Sequence, residues 1–523
     1  MSEAARRPGL PRRGFLGMGA AAAALLAAGC RSATDDAAGA GPAGASTSAS
    51  APDLQIVYGA APDPTQLLHR GPDTPVFVNL VLDRLVDLDP QTLQPVPWLA
   101  TSWEWNADRT KLVLKLREDV AFHDGRPLSP DDVVFSLTGA TKTSQVKPLL
   151  ERLADIKASA AHEVTLTLAK PTSNLFDALA FNPVVDARSY VDGKAADKVN
   201  GTGPFTWQAF KGGNQLDLAR HPHYWQSGQP RFERITVRSV TSSQAALSAL
   251  QSGQSHLIGA VPGRDLKVLA GNAAYTVQSA KSSYQQAFLG ANTATKPLDD
   301  RRVRQALQYA VDRERIVAQV YGGHAEASSL PWPSHTLGVT PDQVNRYSHD
   351  PDKARGLLRE AGAEGTRLPL TAANSPVFAS LVELVKYDLE QAGFGVDVQL
   401  LDNAALQPKI QQGTLEGLFI ANHGMVSVSP LSGITVSGPL QVGRNTSHVT
   451  DPAYADLQAR AFAAADDTAK ADVNHALSEY LLTESFHITL AHAWETYAFA
   501  SSVHGVATSA LGYLRLGDTG RTA

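Results

Sequence analysis

The chain has 523 residues, 43% of them hydrophobic, a formal net charge of −5 and a single cysteine. That length exceeds what one hydrophobic core organises and implies two or more domains. The charge balance leaves no basic footprint for nucleic acid, and one cysteine leaves no intramolecular disulfide.

Residues 1–29 read as a processed export signal. Pro11-Arg12-Arg13-Gly14-Phe15-Leu16 resembles the twin-arginine pattern. The Gly- and Ala-rich stretch that follows is too weakly apolar for a stable membrane anchor. Leu26-Ala27-Ala28-Gly29-Cys30 resembles a lipobox, with Ala27 where Leu is usual. Lipid attachment at Cys30 is therefore expected, tying an exported protein to the outer face of the cytoplasmic membrane. Residues 30–52, mostly Ala, Gly, Ser and Thr, read as a flexible tether.

The folded body should open with a strand at Leu54–Tyr58. Asn79–Asp89 places Leu80, Leu82, Leu85 and Val86 near helical spacing. Trp103 and Trp105 alternate with Ser102 and Glu104, a turn follows at Asn106-Ala107-Asp108, and Leu112, Leu114 and Leu116 share one face of a second strand. His123-Asp124-Gly125 is a turn. Ser129 then caps a helix with Pro130 at its first position and Asp132 three residues after the cap. Gly201-Thr202-Gly203-Pro204 turns sharply into a strand at Phe205. Ile235–Val240, Ser243–Leu250 and His256–Ile258 form a β-α-β unit. Asp299 heads a helix whose Val303, Ala306, Leu307, Ala310 and Val311 share a face, and Asp350-Pro351 starts another. Leu368–Thr371, Phe378–Ala392 and Val396–Leu400 repeat the strand-helix-strand pattern.

Little in the chain carries chemistry. His123-Asp124 reads as a solvated turn rather than a catalytic pair. His221 and His223 would suit a metal on one strand face, but Pro222 between them argues for an edge or turn. Asp299-Asp300 is a favourable helix start. Gly-x-Ser-x-Gly, His-Glu-x-x-His and Walker motifs are absent from the sequence, so no enzyme or cofactor is expected.

Pro97, Leu99, Ala100, Ser102 and Trp103, then Phe122, Asp124, Gly125, Pro127 and Leu128, then Asp132, Val133, Phe135 and Ser136 form one ordered pattern. With Gly201–Phe205, His221–Trp225, the run from Pro297 to Val317 and Gly505–Leu516, it resembles the family 5 extracellular solute-binding proteins. These are the oligopeptide, dipeptide and nickel receptors of ABC importers, and the likeness spans about 54–516. It implies a two-lobed, periplasmic-binding-protein-like α/β fold with mixed sheets and an accessory domain. Lobe I would comprise 53–92, 198–285 and 488–523, the accessory domain 93–197, and lobe II 286–487. It further implies a monomer that holds a peptide or peptide-like ligand between its lobes and delivers it to an ABC permease.

Likeness to cleft-lining segments assigns ligand contacts to Asn422, His423, Arg444, Trp494 and Tyr497, then to Trp332 and Tyr284. Trp494 and Tyr497 share a face only if their run is helical. Relatives that bind peptides carry an Asp after the corresponding strand, opposite the ligand's α-ammonium group. Here the stretch between Glu416 and Asp451 contains no carboxylate, and burying an unpaired ammonium costs several kcal/mol. Either the carboxylate comes from elsewhere or the ligand has no cationic end. A modified peptide, a peptide-like metabolite and a nickel–chelator complex all remain open, and an exported peptidase is supported by export alone.

Overall fold

The structure, a computed structural model, describes residues 53–60, 75–191, 194–195, 199–424 and 428–522, without the side chains of 75–77, 191, 194–195 and 283–284. The expected export signal, tether and lipidated Cys30 lie outside the described residues.

Alternating apolar residues build one mixed sheet of eleven strands. Its order runs Phe205–Lys211, Gln215–Arg220, Arg234–Ser239, Leu54–Tyr58, Leu257–Gly259, His487–Ala500, Tyr275–Ala291, Leu418–His423, Arg367–Ala373 and Gly395–Leu401, with Ala325–Glu326 added beside His487–Ala500. Leu54–Tyr58 lies parallel to both strands of the first β-α-β unit, between them. Arg367–Ala373 and Gly395–Leu401 are parallel neighbours, as a crossover helix at Pro376–Gln391 requires.

Two long antiparallel strands, Tyr275–Ala291 and His487–Ala500, join the halves of this sheet. At one end Gly259 pairs with Tyr497, and at the other Gln286–Ala291 pair with Leu418–His423. Their ladder shifts register between Ala280 and Tyr284. Such irregularities bend a strand and re-aim its side chains. One core gathers Leu54, Phe205, Ile235, Leu257 and Tyr497, while another gathers Leu289, Leu307, Leu358, Leu370 and Val385.

A separate antiparallel sheet holds Ala100–Trp105, Lys111–Leu116, Glu163–Leu168 and Leu153–Ala160, in that order. Leu112, Leu114 and Leu116 fall on its core face beside Val133 and Leu137. The helix Pro130–Thr143 is capped as its sequence dictates: Asp132 accepts from the Ser129 backbone N–H at 3.0 Å and from its hydroxyl at 2.7 Å.

One expected helix is corrected. The spacing over Asn79–Asp89 predicts a helix, yet the helix is Pro75–Val81 and Val86–Leu88 is a strand paired with Pro95–Pro97. The break places Asp83 at a buried hub. Its carboxylate accepts from the Trp98 indole at 2.7 Å, the Trp225 indole at 3.1 Å and the Thr202 hydroxyl at 3.0 Å. Burial raises its pKa while these three donors oppose the rise. Arg117 lies 4.1 Å over Trp225 and Arg515 lies 4.6 Å over Trp98, while Arg515 also pairs with Asp87. Residues scattered across the motif segments thus converge on one carboxylate.

The glycines of the 201–204 turn answer a contact with the helix end at Val81. A Cβ on Gly201 would stand 1.9 Å from the Val81 carbonyl oxygen, and one on Gly203 would stand 2.5 Å from its carbonyl carbon. His123 and His221 both hydrogen-bond the Gly203 carbonyl at 3.1 Å, and His123 accepts from the Gly201 N–H through Nδ1 at 3.2 Å. The solvated reading of His123 is corrected accordingly: burial, aided by His221, pushes its pKa down to about 4. It is a neutral clamp on the turn.

Candidate ligand site

The register shift in the two long strands opens onto a cavity of about 480 Å3. Lys281 and Ser282 line it from within the irregular stretch, Trp494 from the facing strand, Glu326 from the short added strand, and Ser334 and His335 from the loop beyond. The turn residues Pro90 and Gln91 close another side. The Lys281 ammonium lies 5.1 Å over the Trp494 ring, within cation–π range. The Trp494 indole N–H is shielded from solvent and has no acceptor among the described residues. One cation and one anion therefore face a single volume, in the size range of small-molecule sites.

Behind this cavity, strand pairing sets a row of polar side chains. His423 lies opposite Gln286, Gln286 opposite His492, and His492 opposite Glu326. The His423 and His487 Nε2 atoms are 3.1 Å apart, so one ring donates to the other's lone pair. Phe288 stacks on His487 at 4.4 Å. Burial pushes His423 down to about 3 and His492 to about 4, and it pushes His487 well below its ordinary value, with the neighbouring imidazoles contributing at His423 and His487. The pair is neutral at physiological pH. Gln286, fully buried, donates to the Thr489 hydroxyl at 2.8 Å, and its Oε1 has no partner among the described residues.

The structure separates the residues expected to meet in the cleft. Trp494 reaches the cavity. Tyr497 does not: the run is a strand, so the two side chains diverge, and Tyr497 is fully buried in a core with its hydroxyl donating to the Gly512 carbonyl at 2.8 Å. Trp332 is likewise core, packed with Leu477, Tyr454 and Phe486, its indole bonded to the Ser478 hydroxyl at 2.9 Å. Their cleft assignment gives way to packing. Asn422 and His423 are consecutive on a strand and face opposite sides, Asn422 exposed and His423 against His487. Arg444 is exposed in the loop after the Pro430–Val436 helix. The Tyr284 backbone pairs with Trp494, and its side chain is outside the description. Lys281, Glu326 and His335 were missed, since isolated charged residues in irregular or two-residue segments leave no periodic signal.

The stretch between Glu416 and Asp451 brings no carboxylate here, whereas Glu326, paired with His492, puts one on the cavity wall. Among the described residues, no group of three or more His, Cys, Asp or Glu is placed to hold a metal ion, and no described helix is long and apolar enough to cross a membrane.

This architecture matches known proteins. The family model described as bacterial extracellular solute-binding proteins, family 5 Middle, matches residues 94–435. The chain belongs to family 5 of the bacterial extracellular solute-binding proteins. It is 24% identical over 483 residues to the probable di/tripeptide-binding protein 5 of Pseudomonas aeruginosa, covering 85% of this chain and 91% of that one. Among solved structures, the fold matches NikA from Brucella suis in complex with Fe(III)-EDTA, with a TM-score of 0.78, 21% identity, and 90% and 100% of the two chains covered. It also matches the binding protein AgaA from A. tumefacien R10 in complex with agropinic acid, with a TM-score of 0.76, 22% identity, and 90% and 99% covered. As a family 5 protein, the chain falls in the substrate-binding class of ABC importers, whose members are extracellular binding proteins. The two-lobed periplasmic-binding-protein fold read from the sequence is the fold observed.

Proposed function

We propose that this family 5 protein is a lipid-anchored receptor that captures a peptide or peptide-like small molecule bearing an amine and delivers it to an ABC permease. Lobe I (53–92, 198–285 and 488–523) and lobe II (286–487) enclose the ligand, while 93–197 is the accessory domain. Cys30 carries the lipid, and two acyl chains rather than one are needed for firm anchoring.

The observation that carries this reading is that Lys281 and Glu326 line one cavity together with Trp494. Glu326 meets the ligand's ammonium, Lys281 an anionic group, and the Trp494 ring an apolar part of the ligand. An ammonium enclosed in such a site needs its counter-charge, and fixed donors and acceptors supply orientation. Among the alternatives left by the carboxylate-free stretch, this reading favours a ligand with an amine.

The test is native mass spectrometry of the purified protein for retained ligand, followed by calorimetry with free and N-acetylated forms of the peptide identified. Acetylation and Glu326→Gln should each weaken binding at least tenfold, and the two losses should not add. Equal binding of both forms, with Glu326→Gln silent, would remove the proposed ammonium site. A Cys30→Ser protein that stays on the membrane would remove the anchor.

A further inference from the structure

A second cavity, of about 350 Å3, lies where the antiparallel sheet of residues 100–168 meets the helices Pro430–Val436 and Asp467–Glu484. Trp103, Trp105 and Phe176 form one wall, with ring centroids 5.0 Å apart for Trp103–Phe176 and 6.3 Å for Trp105–Phe176. Lys470 and the exposed side chain of Leu337 stand on other sides.

Two features separate this chamber from an ordinary docking seam. The seam beside it is tightly made: Asp177 accepts from the Ser429 and Ser432 hydroxyls at 2.6 Å each, and the Ser173 hydroxyl donates to the Ala461 carbonyl at 2.7 Å. Surfaces held that closely pack without voids elsewhere in protein interiors, yet here all three aromatic rings stay half-buried beside open volume. The partition between the two cavities is also braced. Pro90 and Gln91 line the first cavity, Thr92 and Leu93 line the second, and His335 lines both. Asp89 accepts through Oδ1 from the Gln91 and Thr92 N–H groups at 2.9 and 2.8 Å, and its carbonyl accepts from the Leu93 N–H at 2.8 Å. These bonds hold Leu93 at φ 57°, a left-handed conformation costly for a bulky side chain.

We propose that this chamber is a second binding subsite that takes a planar aromatic group, of indole or phenol type, against Trp103, Trp105 and Phe176. Its natural occupant is the far end of an elongated ligand whose polar end fills the Trp494 cavity; this last clause rests on the function proposed above, whereas the chamber itself does not. Three rings of this kind recognise a flat apolar group by offset and edge-to-face contact.

The probe is 5-fluoroindole, followed by fluorine NMR with the mature protein, with Ala465→Trp and with Glu326→Gln. Ala465 lines the chamber from an exposed position, so a Trp there fills the space without disturbing a core, and an unchanged melting curve checks this. Wild type and Glu326→Gln should bind the probe alike, while Ala465→Trp should lose at least tenfold. Any other pattern, including no binding to wild type, overturns the chamber. For the joined ligand, Gly-Gly-Trp should bind at least tenfold more tightly than Gly-Gly-Gly, and Ala465→Trp should erase the difference. Equal affinities, or binding of neither, overturn that clause and leave the fragment result standing.

Discussion

Replacing Asp83 with Ala strikes the point where the family pattern is energetically concentrated. The carboxylate is buried and accepts three hydrogen bonds between 2.7 and 3.1 Å, two of them from indole N–H groups that have no rotational freedom to find another acceptor. Each buried donor left unmet costs about 1–3 kcal/mol. The Thr202 hydroxyl can rotate, so it adds little. Against these losses stands relief from burying a carboxylate, whose raised pKa records that cost. The balance is a destabilisation of about 2–4 kcal/mol, within the range for breaking a buried polar network. Asp83→Asn keeps one acceptor oxygen and should lose about half as much. Urea unfolding followed by near-ultraviolet circular dichroism suits the test, because Trp98 and Trp225, 5.3 Å apart, report on the hub directly. A loss below about 0.5 kcal/mol for Asp83→Ala, or an equal loss for Asp83→Asn, would refute the assignment of Asp83 as the organising acceptor.

Gly201→Ala should also destabilise, because the new Cβ would meet the Val81 carbonyl, which is backbone and cannot swing away; overpacking of this kind costs about 1–3 kcal/mol or more, read as a lowered melting temperature, and a wild-type melting curve would contradict the contact. Glu495, bonded to the Tyr58 hydroxyl at 3.2 Å, is pushed up to about 7 by burial. Its folded-state pKa exceeds the unfolded value, so its contribution is full below about pH 4.5 and is lost as pH rises through about 7. Unfolding free energy should therefore fall between pH 5 and 8 by on the order of 2 kcal/mol, and Glu495→Gln should flatten that slope; identical pH profiles would show that the group is solvated.

Local structure was legible where the residues that decide it are neighbours. Ser129, Pro130 and Asp132 specify a helix start whatever lies around them, and the Leu112, Leu114, Leu116 alternation specifies a core-facing strand because side chains on a strand alternate by geometry. Both β-α-β units and the helices at Arg301–Ala310 and Pro351–Glu360 follow from the same short-range periodicities. The helix expected at Asn79–Asp89 failed because pairing of Val86–Leu88 with Pro95–Pro97 and the demands of the Asp83 hub outweighed a weak helical spacing. Trp332 and Tyr497 looked like ligand contacts because a large aromatic residue serves a cleft and a core equally well. What separates the two roles is which other chain segments cover the ring, and only the packed structure supplies those. Glu326 could not be found from its neighbours at all. It reaches the cavity through two backbone pairings to the His487–Ala500 strand, formed between distant parts of the chain. The sequence determined the elements and the family, because local sterics and hydrogen bonding act over a few residues. Tertiary structure decided which charges share a cavity, because strand register and core packing are settled only when distant segments meet.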